Sequence, residues 1–276
     1  MTCARGDYVP EEALLVERNT AESFEAERVV PGAEVHADQD ITWVVHPGDF
    51  WRNASAMVRL SAPTAGKRLD AIVRRYQTHG RGMGLWVSPA ATPRNLAELL
   101  TARRFRCRKY YPAMLRNLTR RIAAPSRPSG LEIRRVRDWA EFEKTGYPSI
   151  GPLTTPLRRQ AFGRLRALTM DRSERTLALV AYLDNKPVAA SELFIGSESS
   201  GLLGLTVLPQ HRGQGIGAAL LEETCKEAVR CGASTMALIA TNDGERLYAR
   251  RGFSEVARFG YWYRSFQRPS MVRKGR

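Results

Sequence analysis

Between Leu205 and Gly217 the chain reads LTVLPQHRGQGIG, and a helix-forming run from Ala218 to Cys231 follows at once. An apolar extended stretch, a proline, a basic residue and a glycine-rich turn thus lead straight into a helix. That order sets a row of backbone N–H groups at the positive end of a helix, which binds phosphate oxygens before any side chain is considered. Gly213, Gly215 and Gly217 let the main chain approach such oxygens without a Cβ in the way. Arg212 adds a fixed positive charge beside them. The segment commits this part of the chain to strand, tight turn and helix, and hence to an α/β fold that holds a phosphate-bearing cofactor.

The spacing narrows the cofactor. A dinucleotide site needs a third glycine further along and an acidic residue about twenty positions on, and a P-loop ends in Gly-Lys-Ser/Thr; neither is present. The string follows Gln/Arg-x-x-Gly-x-Gly/Ala instead, as Arg212-Gly213-Gln214-Gly215-Ile216-Gly217 after Val207-Leu208-Pro209. Downstream, Leu247-Tyr248-Ala249-Arg250-Arg251-Gly252-Phe253 forms a helix end that carries a tyrosine and closes on Gly-Phe. The apolar stretch Met236–Ala240 lies between the two. In loop, spacing and Tyr-x-x-x-Gly-Phe, residues 131–266 resemble the GCN5-related N-acetyltransferases (GNAT).

The resemblance implies an α/β fold with a mixed sheet (α+β) and acetyl-CoA as cosubstrate. It also implies N-acetyl transfer, with the amine attacking directly in a ternary complex. The strand before the loop then splays, and Leu205 and Val207 bind the pantetheine arm through their backbone. Arg212, Gly213, Gln214, Gly215, Ile216 and Gly217 hold the pyrophosphate. Tyr248 takes the position of the tyrosine that protonates the departing thiolate. The family's asparagine is displaced: Asn242 lies six residues ahead of Tyr248, with Thr241 in the usual place. The family's strand glutamate is missing too, since Leu203, Gly204 and Leu205 offer no carboxylate. Glu192 on the adjacent strand is the nearest candidate base and Glu198 the second; removal through water, or an amine already neutral, needs neither.

Composition bounds the rest. The chain has 276 residues and a net charge of +15, and only six of its 43 basic residues are lysine. Arginine richness of this kind points to a GC-rich, bacterial source. The charge suits a polyanionic cofactor, and no dense basic run marks a nucleic-acid surface. No apolar run is long enough to span a membrane. Four scattered cysteines, Cys3, Cys107, Cys225 and Cys231, read as free thiols of a reducing cytoplasm. His36, His46, His79 and His211 show no metal-ligand spacing, so no metal is expected. The acceptor is a small-molecule or peptide amine. Two other readings stay open, a non-catalytic acyl-CoA-binding module and an enzyme directed at aminoacyl-tRNA, and a homodimer is compatible with all of them.

Two halves are expected. Residues 1–124 form a smaller first domain, 125–130 a linker rich in proline and serine, 131–270 the catalytic domain and 271–276 a basic tail. Residues 1–40 carry ten acidic and three basic side chains, and 41–125 carry three acidic and sixteen basic. The acidic arm, with a helix near Glu11 to Arg28, should fold over the basic segment. In the first half, strands are expected at 41–45, 56–60 and 85–87, and helices at 67–77 and 92–102. Helices near 138–144 and 156–168 follow the linker, then a hairpin over 177–195 turning at Asp184-Asn185, and closing strands over 253–264. On the helix after the loop, Ala218, Leu221, Cys225 and Ala228 share a face, which makes Cys225 a core residue. Leu99–Phe105, LLTARRF, echoes Leu247–Phe253, LYARRGF. The first half therefore reads as a truncated or degenerate GNAT-like copy, or alternatively as an unrelated lid or dimerisation domain.

Overall fold

The computed structural model describes residues 9–47, 53–80, 82–137, 139–145, 167–169 and 171–266. The first half runs α1 (Glu11–Glu25), β1 (Glu34–Ala37), β2 (Thr42–Val45), β3 (Ala54–Ala56), α2 (Ala65–Thr78), β4 (Met83–Val87), α3 (Leu96–Ala102) and β5 (Arg106–Asn117). The second runs β6 (Leu131–Val136), α4 (Trp139–Glu143), β7 (Thr176–Leu183), β8 (Lys186–Ile195), β9 (Ser200–Val207), α5 (Ile216–Arg230), β10 (Thr235–Ile239), α6 (Asn242–Arg250) and β11 (Ser254–Arg264). The helix expected near 156–168 and the basic tail lie outside the described residues, apart from residues 167–168. No helix among the described residues is long and apolar enough to cross a membrane.

The strands form one mixed sheet in the order β1-β2-β3-β4-β11-β5-β10-β9-β8-β7-β6. Strand alternation divides the core between its two faces. Ala113, Leu115, Ala237 and Phe259 pack on one side against Ala13 and Val16 of α1. Met114, Met236 and Leu238 face the other side, against Leu221, Cys225 and Ala228 of α5. The expectation for Cys225 holds: the thiol is buried, and desolvation pushes it up to about 12, so it is no nucleophile at neutral pH. The hairpin turn is also as read, with Asp184 and Asn185 both at positive φ (49° and 62°).

The two halves repeat each other locally. In each, a parallel strand pair brackets a helix: β3, α2 and β4, then β9, α5 and β10. Helix α2 buries Leu69, Ile72, Val73 and Tyr76, and α5 buries Leu221, Thr224, Cys225 and Ala228 at the same spacing. The echoed segments close identically. The Phe105 N–H donates to the Leu100 carbonyl at 3.0 Å, and the Phe253 N–H to the Tyr248 carbonyl at 3.1 Å. Where the second half turns through Gly252 (φ 78°), the first turns through Arg104 (φ 64°). An L-residue there costs on the order of 1 kcal/mol, and the Arg104 side chain is exposed. Arg104→Gly is therefore expected to raise stability by about 0.5–1 kcal/mol, read as a higher denaturant midpoint at unchanged m.

The final strand of each half crosses into the other. β5 lies between β10 and β11, and β11 between β4 and β5. Leu115 pairs with Ser254 and Arg106 with Tyr263, so the two crossing strands meet about a local two-fold axis. The sequence reading had no strand over 106–117, although that strand joins the halves. Two other expectations need correction. The strand placed at 56–60 ends at Ala56, because Met57 turns to φ 51° and Val58 and Leu60 bond to Thr92 while the Arg59 N–H donates to the Asp40 carbonyl. The helix placed at 92–102 begins at Leu96, since Thr92 is engaged with Val58 and Leu60 and Pro93 stands outside the first turn. The closing region is a single long strand, β11.

Over its described part, the acidic arm folds onto the basic segment as expected. Glu17 pairs with Arg59, Asp38 and Asp40 with Arg68, and Glu34 with Arg75. It also reaches the second half. Arg18 pairs with Glu198 at 2.9 Å, Glu22 with Arg175, and Asn19 Nδ2 donates to the Ser199 carbonyl at 2.7 Å.

Candidate active site

Strands β9 and β10 pair only at Ser200–Met236 and Gly201–Ala237. Beyond that point β10 stays on β5 through Ile239, while β9 follows β8 to Val207 with a register shift between Glu192 and Leu193. The two strands part, and Leu205 and Val207 lie on the separated stretch of β9. This is the opening the sequence reading required.

Past Val207 the chain makes a short 3₁₀ turn, Pro209–His211, and reaches the glycines. Gly213 (φ 76°) and Gly215 (φ 81°) both occupy the left-handed region that favours glycine. Gly217 works differently. A Cβ there would sit in ordinary contact with Val207 Cγ2 at 3.4 Å, Leu247 at 3.6 Å and Leu205 at 3.8 Å, so α5 starts beside β9 and α6. No side chain caps α5 and no acidic residue occupies its first turn, so its leading N–H groups are left for an external acceptor. Arg212 is exposed, with Nε donating to the Val207 carbonyl at 3.1 Å, which fixes the charge at the loop. Gln214 Nε2 donates to the Gln210 carbonyl at 3.2 Å. The Ile216 side chain is core, so its contribution to an anion is the backbone alone.

Tyr248 faces the core from α6, 8% exposed, in edge contact with Phe253. Among the described residues its hydroxyl has no hydrogen-bond partner, and it is not sealed from solvent. Desolvation pushes the phenol up to about 12. Gly244, one turn earlier, makes room for the ring: a Cβ there would lie 2.5 Å from Tyr248 Cε2. This glycine was legible in the sequence at four residues before the tyrosine, and the sequence reading passed over it. Asn242 opens α6 and its side chain accepts from Lys109 Nζ of β5. At 100° per residue Thr241, not Asn242, shares the Tyr248 face of the helix.

Glu192 is 3% exposed, opposite Ala178 on β7 and Gly204 on β9. Its face of the sheet is the one that packs Ala178 and Ala190 on Phe142 of α4. The candidate base is thus a buried carboxyl set among small residues. Glu198 lies in the β8–β9 turn, bound to Arg18. No cluster of metal-ligating residues occurs among the described residues.

Glu222 of α5 joins the site's two helices. Arg116 of β5 holds it through two hydrogen bonds (2.9 and 3.1 Å), and Arg251 at the end of α6 adds a third at 3.0 Å. Burial pushes the Glu222 carboxyl up, but the bonds and charges of the two guanidinium groups outweigh it and hold the pKa below the usual range. A depressed carboxylate stabilises the fold above its unfolded pKa of about 4.3, and that stability is lost as pH falls through the folded value. Glu222→Gln should therefore lower stability at pH 7 by about 3 kcal/mol and flatten the loss of stability below about pH 4, both measurable by urea titration across pH.

The matching opening of the first half is closed by the chain itself. β3 and β4 pair only at Ala54–Gly84 and Ser55–Leu85. The residues beyond are bonded to Thr92, whose N–H donates to Val58 and whose carbonyl accepts from Leu60 (3.0 and 3.2 Å). Glu17 of α1 spans the gap, accepting from Arg59 past β3 and from Ser88 past β4. Leu100 stands where the second half has Tyr248.

Comparison with known proteins agrees with this geometry. Residues 174–255 match the family model of the acetyltransferase (GNAT) domain. No curated protein matches the chain. Among solved structures, a GCN5-related N-acetyltransferase from Kribbella flavida superposes with a TM-score of 0.66 at 18% identity, over 88% of this chain and 94% of that one. One from Sphaerobacter thermophilus gives 0.58 at 18%, over 96% and 95%. A tandem GNAT protein from the clavulanic acid biosynthesis pathway gives 0.58 at 13%, over 92% and 94%. At these identities the likeness is one of fold.

Proposed function

We propose that the chain, which carries a GNAT acetyltransferase domain at residues 174–255, transfers an acetyl group from acetyl-CoA to the amine of a small molecule or peptide. The observation that carries this reading is the parted β9/β10 pair, with an uncapped helix N-terminus at its open end and the Tyr248 hydroxyl without a hydrogen-bond partner among the described residues. These groups fit acetyl-CoA, which when bound supplies an activated acyl thioester. The N–H groups from Gly213 to Gly217, with Arg212, would hold the pyrophosphate, and the backbone of Leu205 and Val207, on the stretch of β9 that no longer pairs with β10, the pantetheine arm. Tyr248 would hydrogen-bond the departing sulfur, and Glu192 would accept a proton from the amine. Among the described residues no cysteine has the lowered pKa of an acyl carrier, so direct attack is the mechanism favoured.

The first half, residues 1–124, is on this reading a degenerate copy of the same fold; its closed cleft and its Leu100 support that. Calorimetric titration with acetyl-CoA, followed by a thiol-release assay over a panel of amines, tests the proposal. The expected result is a single acetyl-CoA per chain and thiol release with some amine. Binding without release for any acceptor would favour a regulatory acyl-CoA-binding module, and no binding would remove the reading.

A further inference from the structure

The strand exchange puts one buried guanidinium of the first half into the catalytic half. Arg116 belongs to β5, yet its side chain, 4% exposed, lies between α5 and α6. There it grips Glu222 with both terminal nitrogens and lies 3.4 Å from Cys225 Sγ. Glu222 is on α5, six residues from Ile216, or about 9 Å along the axis, and its helix presents the phosphate-binding N–H groups. Arg251, its other partner, caps α6, where its N–H donates to the Tyr248 carbonyl at 2.9 Å. Arg251 also donates to the Ala123 carbonyl of the segment joining the halves, at 2.8 Å. One carboxylate therefore ties the helix that would hold the cofactor to the helix that carries Tyr248.

The same device recurs in the first half. Arg103, at the end of α3, holds Asp70 of α2 at 2.8 and 3.0 Å, and Arg264 of the incoming β11 stands nearby, where burial and the Arg104 charge lower its pKa and Asp70 only partly offsets them. Here, however, the helices frame a closed cleft and no tyrosine. The first-half pair thus forms an internal control, with a guanidinium and a carboxylate joining the matching helices and no site attached to them.

We infer that Arg116 is a positioning residue of the acetyltransferase site, supplied by the first half to set the loop helix against the tyrosine helix. The inference rests on the function proposed above. Its test compares Arg116→Met with Arg264→Met, and adds Arg116→Lys, which keeps the charge but loses the two-pronged grip. Glu222 retains Arg251 in the Arg116 variants, so the fold has a remaining partner for its buried carboxylate.

Both methionine variants should lower Tm. Only Arg116→Met should weaken acetyl-CoA binding and lower kcat, by about 10- to 100-fold in kcat/KM, with Arg116→Lys between it and wild type. Arg264→Met should leave both constants within about twofold. Amide exchange gives a readout independent of turnover: Arg116→Met should speed exchange over 213–222 and 242–253, and Arg264→Met over 65–78 and 96–105. Equal Tm losses with unchanged kcat, unchanged acetyl-CoA binding and no added exchange at 242–253 would overturn the inference. A wild type that fails to bind acetyl-CoA would instead defeat the functional reading, and the exchange comparison would still decide the role of Arg116.

Discussion

Gly215→Asp is expected to weaken acetyl-CoA binding at least 100-fold while leaving a folded protein. Three effects act together. At φ 81° any side chain is strained, by on the order of 1 kcal/mol. A Cβ would come 3.0 Å from the Ser126 carbonyl, where the inter-half segment passes the loop. The largest effect is electrostatic: a carboxylate would sit among N–H groups suited to a pyrophosphate, satisfying them internally and repelling the ligand. Gly213→Ala separates strain from occupancy, because Gly213 is also left-handed (φ 76°) but a Cβ there meets nothing within 4 Å. It should cost less stability than a side chain at Gly215, since only the strain of positive φ acts, and at most about tenfold in affinity. Isothermal titration on the three proteins decides the matter. Equal affinity in wild type and Gly215→Asp would show that the loop does not hold the pyrophosphate.

The loop was legible because its physics is local. Positive φ, an uncapped helix and close helix–strand packing are each written in a few adjacent residues, and Arg212 to Gly217 hold all three. Tyr248 was legible for the same reason, through the glycine and phenylalanine that end its helix. What sequence reading missed is long-range. The strand at 106–117, RCRKYYPAMLRN, has charged and aromatic residues on neighbouring positions and a proline within it, so it lacks the plain alternation of a half-buried strand. Its burial comes from β10 and β11, which lie more than a hundred residues away. The burial of Glu192 was hidden likewise, since Ala178 and Gly204 become its neighbours only through strand pairing. The echo LLTARRF against LYARRGF, by contrast, marked two turns that fold alike despite the exchange of Gly252 for Arg104. The segment expected as a linker, 125–130, lies in a stretch without helix or strand, and the sheet runs straight across the two halves on either side of it.

Tyr248→Phe should lower kcat by about 10²–10³-fold with little change in acetyl-CoA affinity. The ring packs on Gly244 and Phe253, contacts that phenylalanine keeps, so the deletion removes one hydroxyl and little packing. Its raised pKa decides how that hydroxyl acts. Complete transfer of a proton from a phenol at about 12 to a thiolate with a conjugate acid of about 8.5 would be uphill by about 5 kcal/mol at 1.36 kcal/mol per unit. A strong hydrogen bond to the sulfur as charge develops avoids that cost, and burial strengthens it. The sign of the shift fixes the pH behaviour. The protonated phenol is favoured in the folded protein, and its contribution persists until pH rises through about 12. The logarithms of kcat for wild type and Tyr248→Phe should therefore run parallel from pH 7 to 10, separated by a constant gap. A gap that closed as pH approached 10 would mean that the phenol ionises near its ordinary pKa of about 10, in place of the raised one. A loss of less than about threefold at every pH would remove Tyr248 from the chemistry, leaving the parted strands and the glycine loop as a binding site alone.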